Sequence, residues 1–261
     1  MTATRPFTLA TRELRLLARL TPWDTECFGF AVGQVDSLEC LSPSVDSHTL
    51  GPLFRWLDEN AVRFISCRLP HERLRESMLL ESCQFRFIET VLHPCLDLPD
   101  TRYTDNHGLV IAHAVPSDIP VLEGIASSAF IHGRIQADPR LGSDLSLRRY
   151  GRWVRNVIDH PRQRLLKITN YEGMIVGLFV IEPSADQSVY WHLTAISPSC
   201  QGKGYGWRAW RAMLAHHAQE GFRSVQTTIT ATNVAVLNLY AKLGFRFLPP
   251  EMTFHWVRSD S

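Results

Sequence analysis

The chain lacks long apolar runs and blocks of charge of one sign. Hydrophobic residues make up 45% of its 261 residues and charged residues 20%, with a formal net charge of +1. No segment approaches the ~18 apolar residues that a membrane helix needs, and the start of the sequence holds no continuous apolar stretch of the kind found in signal peptides. The balanced charge argues against a nucleic-acid protein, which needs a concentrated basic face, but leaves a small anionic ligand open. We therefore expect a cytoplasmic globular protein without a membrane or nucleic-acid partner.

Cysteine is also sparse, and its six positions show no metal-binding spacing. The cysteines are Cys27, Cys40, Cys67, Cys83, Cys95 and Cys200, and no two of them form a C-x-x-C pair. His93 lies close to Cys95 in sequence, but one such pair is too little for a zinc site. We therefore expect free thiols in a reducing compartment and no bound metal.

A polar, turn-rich stretch at 98–108 divides the sequence in two. Its composition after an apolar run predicts a linker. We therefore expect a smaller amino-terminal accessory domain at 1–105 and a larger domain at 106–261. In the second half, apolar periodicity predicts the order strand, two helices, three strands, helix, strand, helix and strand. This order indicates an α+β fold with a mixed, mostly antiparallel sheet.

The two halves share a short pattern. In the first half, a predicted helix at 72–81 ends shortly before Phe85-Arg86-Phe87, and in the second half a predicted helix ends before Phe245-Arg246-Phe247. In both places the end of a helix leads directly into a strand. One such match suggests an internal repeat.

The most informative segment joins a predicted strand to a predicted amphipathic helix. It reads Gln201-Gly202-Lys203-Gly204-Tyr205-Gly206. The glycines remove the Cβ atoms that would keep a ligand away from the backbone, and the following helix points its unpaired N–H groups and its positive dipole end at the loop. Such a loop is suited to bind a pyrophosphate, although its even glycine spacing differs from the dinucleotide-binding fingerprint and from the P-loop. We assign Trp207 and Trp210 of the following helix to the core.

A second motif lies about thirty residues downstream, where Asn233, Tyr240 and Gly244-Phe245 fall on a predicted helix and its C-terminal stop. Together with Gln201-x-x-Gly204-x-Gly206, this pattern resembles the GCN5-related N-acetyltransferase (GNAT) superfamily over about residues 108–261. The resemblance implies a GNAT acyl-CoA N-acyltransferase fold, preceded by an accessory domain that is similar to half of that fold. It also implies acetyl-CoA as the co-substrate and no metal. Its implied ligands of coenzyme A are Gln201, Gly202, Lys203, Gly204, Tyr205 and Gly206 for the pyrophosphate, and Ala195, Ile196 and Asn233 for the pantetheine arm.

A narrower resemblance is to sugar-nucleotide N-acetyltransferases of the TDP-fucosamine acetyltransferase type. Trp23-x-x-x-x-Phe28-Gly29 is similar to an N-terminal signature of that group, and the segments 129–139 and 150–156 are similar to its region after the first helix. In such enzymes a small N-terminal domain helps to form the acceptor pocket. The resemblance therefore implies a nucleotide-linked amino-sugar as the preferred acceptor.

Transfer of an acetyl group to an amine needs a base for the amine and an acid for the departing thiolate. The resemblance places Tyr240 beside the sulfur, and a phenol of pKa ~10 can protonate a thiolate whose acid has a pKa of ~8.5. His192 is the first candidate for the base, because it lies on the strand that passes the thioester in this fold. Strict alternation along 189–196 places it on one face with the other even-numbered residues. Glu182 is the second candidate, and a water chain without a single base is the third.

Two further residues are candidates for the acceptor site. Arg134 and Asp138 lie in a polar, helix-breaking segment, where a guanidinium could meet a substrate phosphate, although a solvated loop pair would show the same pattern. Trp23 and Phe28 could stack on a nucleobase or sugar, but aromatic residues of a small domain belong more often to its core.

Several alternatives stay open at the level of sequence. An amino acid, a polyamine, an antibiotic or a peptide could replace the amino-sugar as acceptor, and another acyl-CoA could replace acetyl-CoA as donor. A non-catalytic acyl-CoA-binding module is the alternative from a different class. A homodimer is compatible with the sequence.

Overall fold

The computed structural model describes residues 6–98, 105–130 and 132–259, so the predicted linker lies partly outside the described residues. The chain forms two compact units. The first unit comprises residues 1–91, 134–145 and 249–261, and the second unit comprises residues 92–133 and 146–248. Because each unit takes in residues from both sides of the boundary predicted between 105 and 106, the division into two consecutive domains stays a prediction.

The described residues form twelve strands and eight α-helices. The strands are β1 Phe7–Ala10, β2 Leu14–Leu20, β3 Ala31–Cys40, β4 Val62–Pro70, β5 Arg86–Asp97, β6 Leu109–His113, β7 Arg164–Asn170, β8 Ile175–Pro183, β9 Ser188–Ile196, β10 Ser224–Thr227, β11 Ile229–Thr230 and β12 Arg246–Val257. The helices are α1 Pro22–Phe28, α2 Gly51–Glu59, α3 Leu74–Ser82, α4 Ile119–Ala129, α5 Arg134–Ala137, α6 Ser143–Val157, α7 Tyr205–Gln219 and α8 Val234–Leu243. Among the described residues, none of these helices is long and apolar enough to cross a membrane.

The sheet of the first unit has the strand order β1-β2-β3-β4-β12. Its neighbours are antiparallel except for β3 and β4, which are parallel. Alternation along β2 buries Leu14, Leu16 and Ala18 and leaves Arg15 and Arg19 exposed. Helix α2 adds Leu53 and Leu57 to the same apolar cluster, so the amphipathic helix covers the buried face of the sheet.

The sheet of the second unit has the strand order β5-β10-β9-β8-β7-β6. Strands β9 and β10 are parallel, and the other neighbours are antiparallel. Both faces of this sheet carry an apolar cluster. One cluster includes Trp210 of α7 and Leu243 of α8, and the other includes Leu122 of α4 and Val154 of α6. We call these the α7–α8 face and the α4–α6 face. The predicted α+β fold with a mixed sheet is confirmed.

Several predicted elements of the second half are confirmed with small changes in their bounds. Strands β7 and β8 form the predicted hairpin, and Gly173 in its turn has a φ of +80°, which favours glycine. Helix α8 ends at the predicted stop, where Gly244 has a φ of +87°. The short helix α5 was not predicted.

Candidate active site

A gap opens between two neighbouring strands of the second unit. Strands β9 and β10 pair in parallel over four positions, of which the last joins Trp191 and Thr227. Strand β10 ends at Thr227. Strand β9 continues to Ile196 and stays paired with β8 along the edge that faces away from β10. Thr227 Oγ1 donates a hydrogen bond of 2.8 Å to Trp191 O at the point where the strands part. Within the described part of the chain, the edge of β9 at 192–196 has no strand partner on this side, so an extended ligand could pair with it.

A β-bulge lies at the start of this gap. On β8, Ile181 pairs with Trp191 of β9, and the preceding residue, Val180, pairs with Leu193. His192 is thus an extra residue on β9, and the bulge changes which face the later residues point to. Trp191 packs in the cluster of the α7–α8 face and Leu193 in that of the α4–α6 face, although both are odd-numbered. The predicted strict alternation is therefore wrong beyond Trp191.

His192 and Glu182, the two candidates for the base, are bonded to each other. His192 Nε2 lies 2.9 Å from Glu182 Oε2, and both side chains are mostly buried. Gln163 Nε2 donates to the same carboxylate oxygen at 3.4 Å, and its Oε1 accepts from Trp153 Nε1 at 3.0 Å. Arg162 Nε lies 3.3 Å from the other oxygen of Glu182. These contacts hold the carboxylate against the imidazole.

The protonation states of this pair follow from its surroundings. Burial lowers the pKa of His192 from its usual value of 6.5, and the hydrogen bond and charge of Glu182 oppose that shift only in part. Burial raises the pKa of Glu182, but hydrogen bonds from His192 and Gln163 outweigh it and leave the pKa below its usual value. At neutral pH the imidazole is therefore neutral and the carboxylate ionised. Because a carboxylate can only accept, His192 Nε2 carries the proton and Nδ1 keeps a lone pair that can take one.

The glycine-rich loop follows β9 and borders open space. Gly202 and Gly204 have φ values of +72° and +80°, and Gly204 is the N-cap of α7. Nothing lies within 4 Å of where a Cβ atom would stand on Gly202, Gly204 or Gly206. Gln201 Nε2 donates to Ile196 O at 3.2 Å, which ties the loop to the end of β9. The N–H groups at the start of α7 are therefore accessible, as anion binding at a helix N-terminus requires.

Two cations lie at this loop. Lys203 Nζ donates to Ser199 O at 2.7 Å. Arg208 lies over the ring of Tyr205 at 5.1 Å, and its Nε donates to His107 O at 2.9 Å. Sequence reasoning missed Arg208, although an arginine in the first turn after a glycine-rich loop is a signal that could have found it. Both charges favour an anionic ligand.

Gly177 of β8 is a second residue that sequence reasoning missed. A Cβ atom at this position would stand 2.5 Å from Ala195 O, a distance that nonbonded atoms do not adopt. Only glycine therefore lets β8 approach β9 beside the predicted pantetheine edge. Ser197 N donates to Val176 O at 2.9 Å and extends this close pairing past the end of β9. A single glycine within an apolar strand is the signal that could have found it.

Tyr240 points from α8 into the core of the α7–α8 face. Its side chain is 1% exposed, and its ring lies 4.8 Å from that of Phe245 and 6.5 Å from that of Trp210. Burial raises the pKa of the phenol above its usual value, and the nearby side chains of Trp210, Thr194 and Thr227 oppose this rise only in part. The phenol therefore stays protonated at neutral pH. Thr194 of β9 and Thr227 of β10 are near enough to affect its pKa, so the phenol lies near the point where β9 and β10 part.

Helix α8, which carries Tyr240, is fixed at both ends. Asn233 is its N-cap, and Asn233 Oδ1 accepts from Val236 N at 3.4 Å. At the other end Gly244 is left-handed, and Phe245 N donates to Tyr240 O at 3.0 Å. The amide of Asn233 and the phenol of Tyr240 are thus held by the two ends of one short helix.

The two predicted acceptor residues lie in the first unit. Arg134 begins α5, and its guanidinium donates to Ser66 Oγ at 3.0 Å. Asp138 is 0% exposed, and its oxygens lie 3.0 Å from His255 Nδ1 and 2.9 and 2.8 Å from Arg140 Nε and Nη2. A buried carboxylate with these partners offers no oxygen to a substrate, so we correct Asp138 from a substrate ligand to a structural residue. The role of Arg134 stays a prediction.

The predicted aromatic residues divide between core and surface. Trp210 is 2% exposed, as predicted, but Trp207 is 38% exposed and lies beneath the guanidinium of Arg211 at 5.5 Å. The assignment of Trp207 to the core is therefore wrong. Phe28 is buried in a cluster of the first unit, against which Trp23 packs. These positions favour the core over ligand stacking for Trp23 and Phe28.

We expect Asp138→Asn to destabilise the protein by about 1–3 kcal/mol while leaving the KM for the acceptor unchanged. Burial raises the pKa of Asp138, but hydrogen bonds from His255 and Arg140 outweigh it and hold the pKa below its usual value. Because the folded pKa lies below the unfolded one, the wild type loses this stabilisation as the pH falls below ~4, whereas the variant has none to lose. Thermal unfolding across pH measures the difference. A raised KM with unchanged stability would restore Asp138 as a substrate ligand.

Among the described residues, one group of three potential metal ligands lies together, namely His216, His217 and Glu220. Glu220 Oε2 lies 3.4 Å from His216 Nε2 and 3.6 Å from His217 Nδ1. Trp191 Nε1, which can only donate, lies 3.0 Å from His217 Nε2. In the neutral ring the proton must therefore be on His217 Nδ1, which then has no lone pair for a metal ion. This tautomer argues against a metal at these residues.

Comparisons with known proteins show related sequences and folds. Residues 130–245 match the family model described as Acetyltransferase (GNAT) family. Over 130 residues the chain is 23% identical to the spore coat polysaccharide biosynthesis protein SpsD of Bacillus subtilis (strain 168). The matched stretch covers 50% of this chain and 44% of SpsD. The chain thus matches less than half the length of this relative.

Two solved structures share the fold. A GCN5-related N-acetyltransferase from Sphaerobacter thermophilus is 14% identical, with a TM-score of 0.61 over 94% of this chain and 81% of that chain. A conserved protein of unknown function from Staphylococcus epidermidis ATCC 12228 is 11% identical, with a TM-score of 0.67 over 96% of this chain and 93% of that chain. At these identities both structures show the fold alone.

Proposed function

We propose that this chain is an acyltransferase that transfers an acetyl group from acetyl-CoA to a primary amine, because residues 130–245 match the GNAT acetyltransferase family model. We propose a nucleotide-linked amino-sugar as the preferred acceptor. One observation carries the proposal, namely that a proton donor and a proton acceptor flank the same gap in the sheet. Tyr240 packs on the α7–α8 face, and His192, paired with Glu182, lies near Trp153 of the α4–α6 face.

Coenzyme A is proposed to bind along the glycine-rich loop and the open edge of β9. The N–H groups and positive end of α7 attract the diphosphate, and Lys203 and Arg208 add positive charge. The pantetheine amides pair with β9 as an added strand would, which brings the thioester to the point where β9 and β10 part. The residues assigned to these contacts are Ala195, Ile196, Gln201, Gly202, Lys203, Gly204, Tyr205, Gly206 and Asn233.

The two flanking groups then move the protons. An amine arrives as an ammonium ion, and His192 Nδ1 takes one of its protons so that the nitrogen can attack the carbonyl carbon. The new N–C bond forms as the C–S bond breaks, and Tyr240 gives its proton to the departing sulfur. The amide nitrogen releases a second proton, which restores the phenol. The products are one amide and one thiol, and one proton leaves through His192.

The acceptor is expected to approach from the α4–α6 face, because His192 lies on that side. Helix α6 carries Arg148, Arg149 and Arg152, and also Arg155, whose guanidinium is paired with the carboxylate of Glu123. The guanidinium of Arg149 lies over the rings of Tyr150 and Trp153 at 5.7 and 5.4 Å. A positively charged, aromatic helix favours an acceptor that carries phosphate and a ring. The similarity to SpsD, a protein of polysaccharide biosynthesis, supports the same class.

A thiol-release assay with acetyl-CoA tests the proposal against a panel of amines. The panel contains nucleotide-linked amino-sugars, the same sugars without the nucleotide, polyamines and peptides. Turnover confined to a nucleotide-linked amino-sugar is the expected result. Turnover on another amine would keep the reaction and discard the acceptor. Coenzyme A binding without turnover of any amine or acyl-CoA would favour a non-catalytic binding module instead.

Glu182→Gln is expected to shift the pH dependence of kcat. The charge and hydrogen bond of Glu182 hold the pKa of His192 up against burial. Without that charge the pKa of His192 falls further, so the acidic limb of kcat moves to lower pH. The less basic imidazole also lowers kcat at neutral pH by about tenfold. The measurement is kcat at saturating substrates across a pH range of about 5 to 9.

Glu172→Gln provides the matched control. Glu172 is an exposed carboxylate in the turn between β7 and β8, so its loss removes a similar charge from the same unit without touching the imidazole. We expect this variant to keep the wild-type profile. An acidic limb that stays in place or moves to higher pH in Glu182→Gln would rule out Glu182 as the partner of a histidine base.

A further inference from the structure

The first unit contains a turn with the same geometry as the one that follows Tyr240. In both 80–85 and 240–245, the sixth residue donates its N–H to the carbonyl of the first at 3.0 Å. The fifth residue is left-handed each time, since Gln84 has a φ of +64° and Gly244 a φ of +87°. The match of the two helix ends in sequence is thus a match in backbone conformation.

The elements before this turn repeat as well. Strand β3, α2, β4, α3 and β5 follow one another as β9, α7, β10, α8 and β12 do, except that the two-residue strand β11 is inserted between β10 and α8. In each set the first two strands pair in parallel. Each first strand is followed by the same tripeptide, Ser-Pro-Ser, at 42–44 and at 197–199. The segment 31–97 therefore corresponds, element by element, to 188–257.

Aligned on Ser-Pro-Ser, the two loops differ at the positions proposed to bind the diphosphate. Asp46 stands where the second unit has Gln201, and Ser47 and Thr49 replace the first two glycines of that loop. Asp46 Oδ1 accepts from His48 N at 3.0 Å and from Thr49 N at 3.3 Å. A carboxylate of the chain itself thus takes the N–H groups that would otherwise be available to an anion.

A second carboxylate occupies the counterpart of the proposed pantetheine edge. By the same alignment Cys40 corresponds to Ala195. The N–H of Cys40 donates to Glu76 Oε1 at 2.8 Å, and Glu76 is 3% exposed. The counterpart of Tyr240 is Leu80, which has no proton to give. The two positions that correspond to the proposed coenzyme A contacts, and the position that corresponds to the proposed general acid, therefore all differ from those of the second unit.

We propose that the segment 31–97, most of which lies in the first unit, is a second copy of the acyl-CoA-binding segment and that two of its own carboxylates close it, Glu76 at the pantetheine position and Asp46 at the diphosphate position. The inference rests on the proposed function, because it uses that assignment of the loop and strand. The remaining cavity, of about 420 Å³, is lined by Asp46 and by Cys40, Arg75, Met78 and Ser82 among others. A carboxylate at its wall repels a diphosphate. Each chain therefore takes one acyl-CoA, in the second unit.

Calorimetric titration of the full chain with coenzyme A counts the sites. We expect one coenzyme A for each wild-type chain and none for Gly204→Glu, which fills the loop of the second unit. Two sites in the wild type and one in Gly204→Glu would overturn the inference and leave the proposed function intact. One site in both proteins would show that the proposed loop of the second unit does not bind coenzyme A.

In that case Thr49→Glu, in the corresponding loop of the first unit, tests the inference. Loss of binding in Thr49→Glu would place the site in the first unit and overturn the inference. Unchanged binding would support a first unit that is closed to coenzyme A.

A second experiment tests the role given to Glu76. Glu76→Ala leaves the buried N–H of Cys40 without its acceptor, so we expect Tm to fall by about 3–8 °C with kcat and KM unchanged. Glu81→Ala is the control, because Glu81 is an exposed carboxylate on the same helix. We expect its Tm to stay within about 1 °C of the wild type. Equal shifts in the two variants, or a loss of kcat in Glu76→Ala, would contradict the inference.

Discussion

Gly204→Glu is expected to abolish coenzyme A binding, with a dissociation constant at least about 100-fold above that of the wild type. Gly204 is the N-cap of α7 and has a φ of +80°, with nothing within 4 Å of its Cβ position. A glutamate side chain therefore enters the space in which the diphosphate is proposed to lie. Its charge also takes the place of the anion at the positive end of the helix. Titration calorimetry or fluorescence with coenzyme A measures the loss.

The control for this variant is Gly221→Glu. Gly221 follows the other end of α7, has a φ of +83° and also has open space at its Cβ position. The two variants therefore introduce the same charge and the same backbone strain into one unit. We expect Gly221→Glu to keep its affinity for coenzyme A. Normal affinity in Gly204→Glu would place the diphosphate elsewhere, and an equal loss in both would indicate strain rather than a filled site.

The parts of the site that local pattern determines could be predicted from the sequence. The glycine-rich loop and the helix with Asn233 and Tyr240 are short segments whose turns and caps depend on neighbouring residues. The pairing of His192 with Glu182 depends instead on the register of β8 and β9. A single extra residue shifts that register, and alternation in the sequence is the same with or without the bulge. Both residues were therefore named as separate candidates for one role, although their side chains are hydrogen-bonded to each other.

The errors concern contacts between residues far apart in the chain. Asp138 lies in a polar segment, but its partner His255 follows 117 residues later, so nothing near Asp138 indicates that it is buried. Trp207 lies one turn from the buried Trp210, and only the packing around α7 decides which of the two is covered. The strands at the start of the chain were not predicted either, although the apolar residues at the alternate positions 14, 16, 18 and 20 of β2 are typical of a half-buried strand.

Tyr240→Phe is expected to lower kcat by at least about tenfold and to change the affinity for coenzyme A by less than about twofold. The substitution keeps the ring, which packs against Phe245 and Trp210, and removes only the hydroxyl. Because burial raises the pKa of this phenol, the wild type keeps the proton to give at neutral and mildly alkaline pH. The measurement is kcat with saturating acceptor, compared with direct titration of coenzyme A.

Tyr171→Phe serves as the control, because Tyr171 is 74% exposed and lies in the turn between β7 and β8. We expect it to match the wild type in kcat and in Tm. The comparison of kcat with Tm separates the two roles that a buried tyrosine can have. A tyrosine that only packs in the core would leave kcat as it was whatever the change in Tm, since the chemical step would not need its proton. A general acid loses kcat while the fold is kept, because the phenylalanine ring fills the same space. An unchanged kcat in Tyr240→Phe would therefore remove Tyr240 from the mechanism and leave the sulfur to be protonated by water.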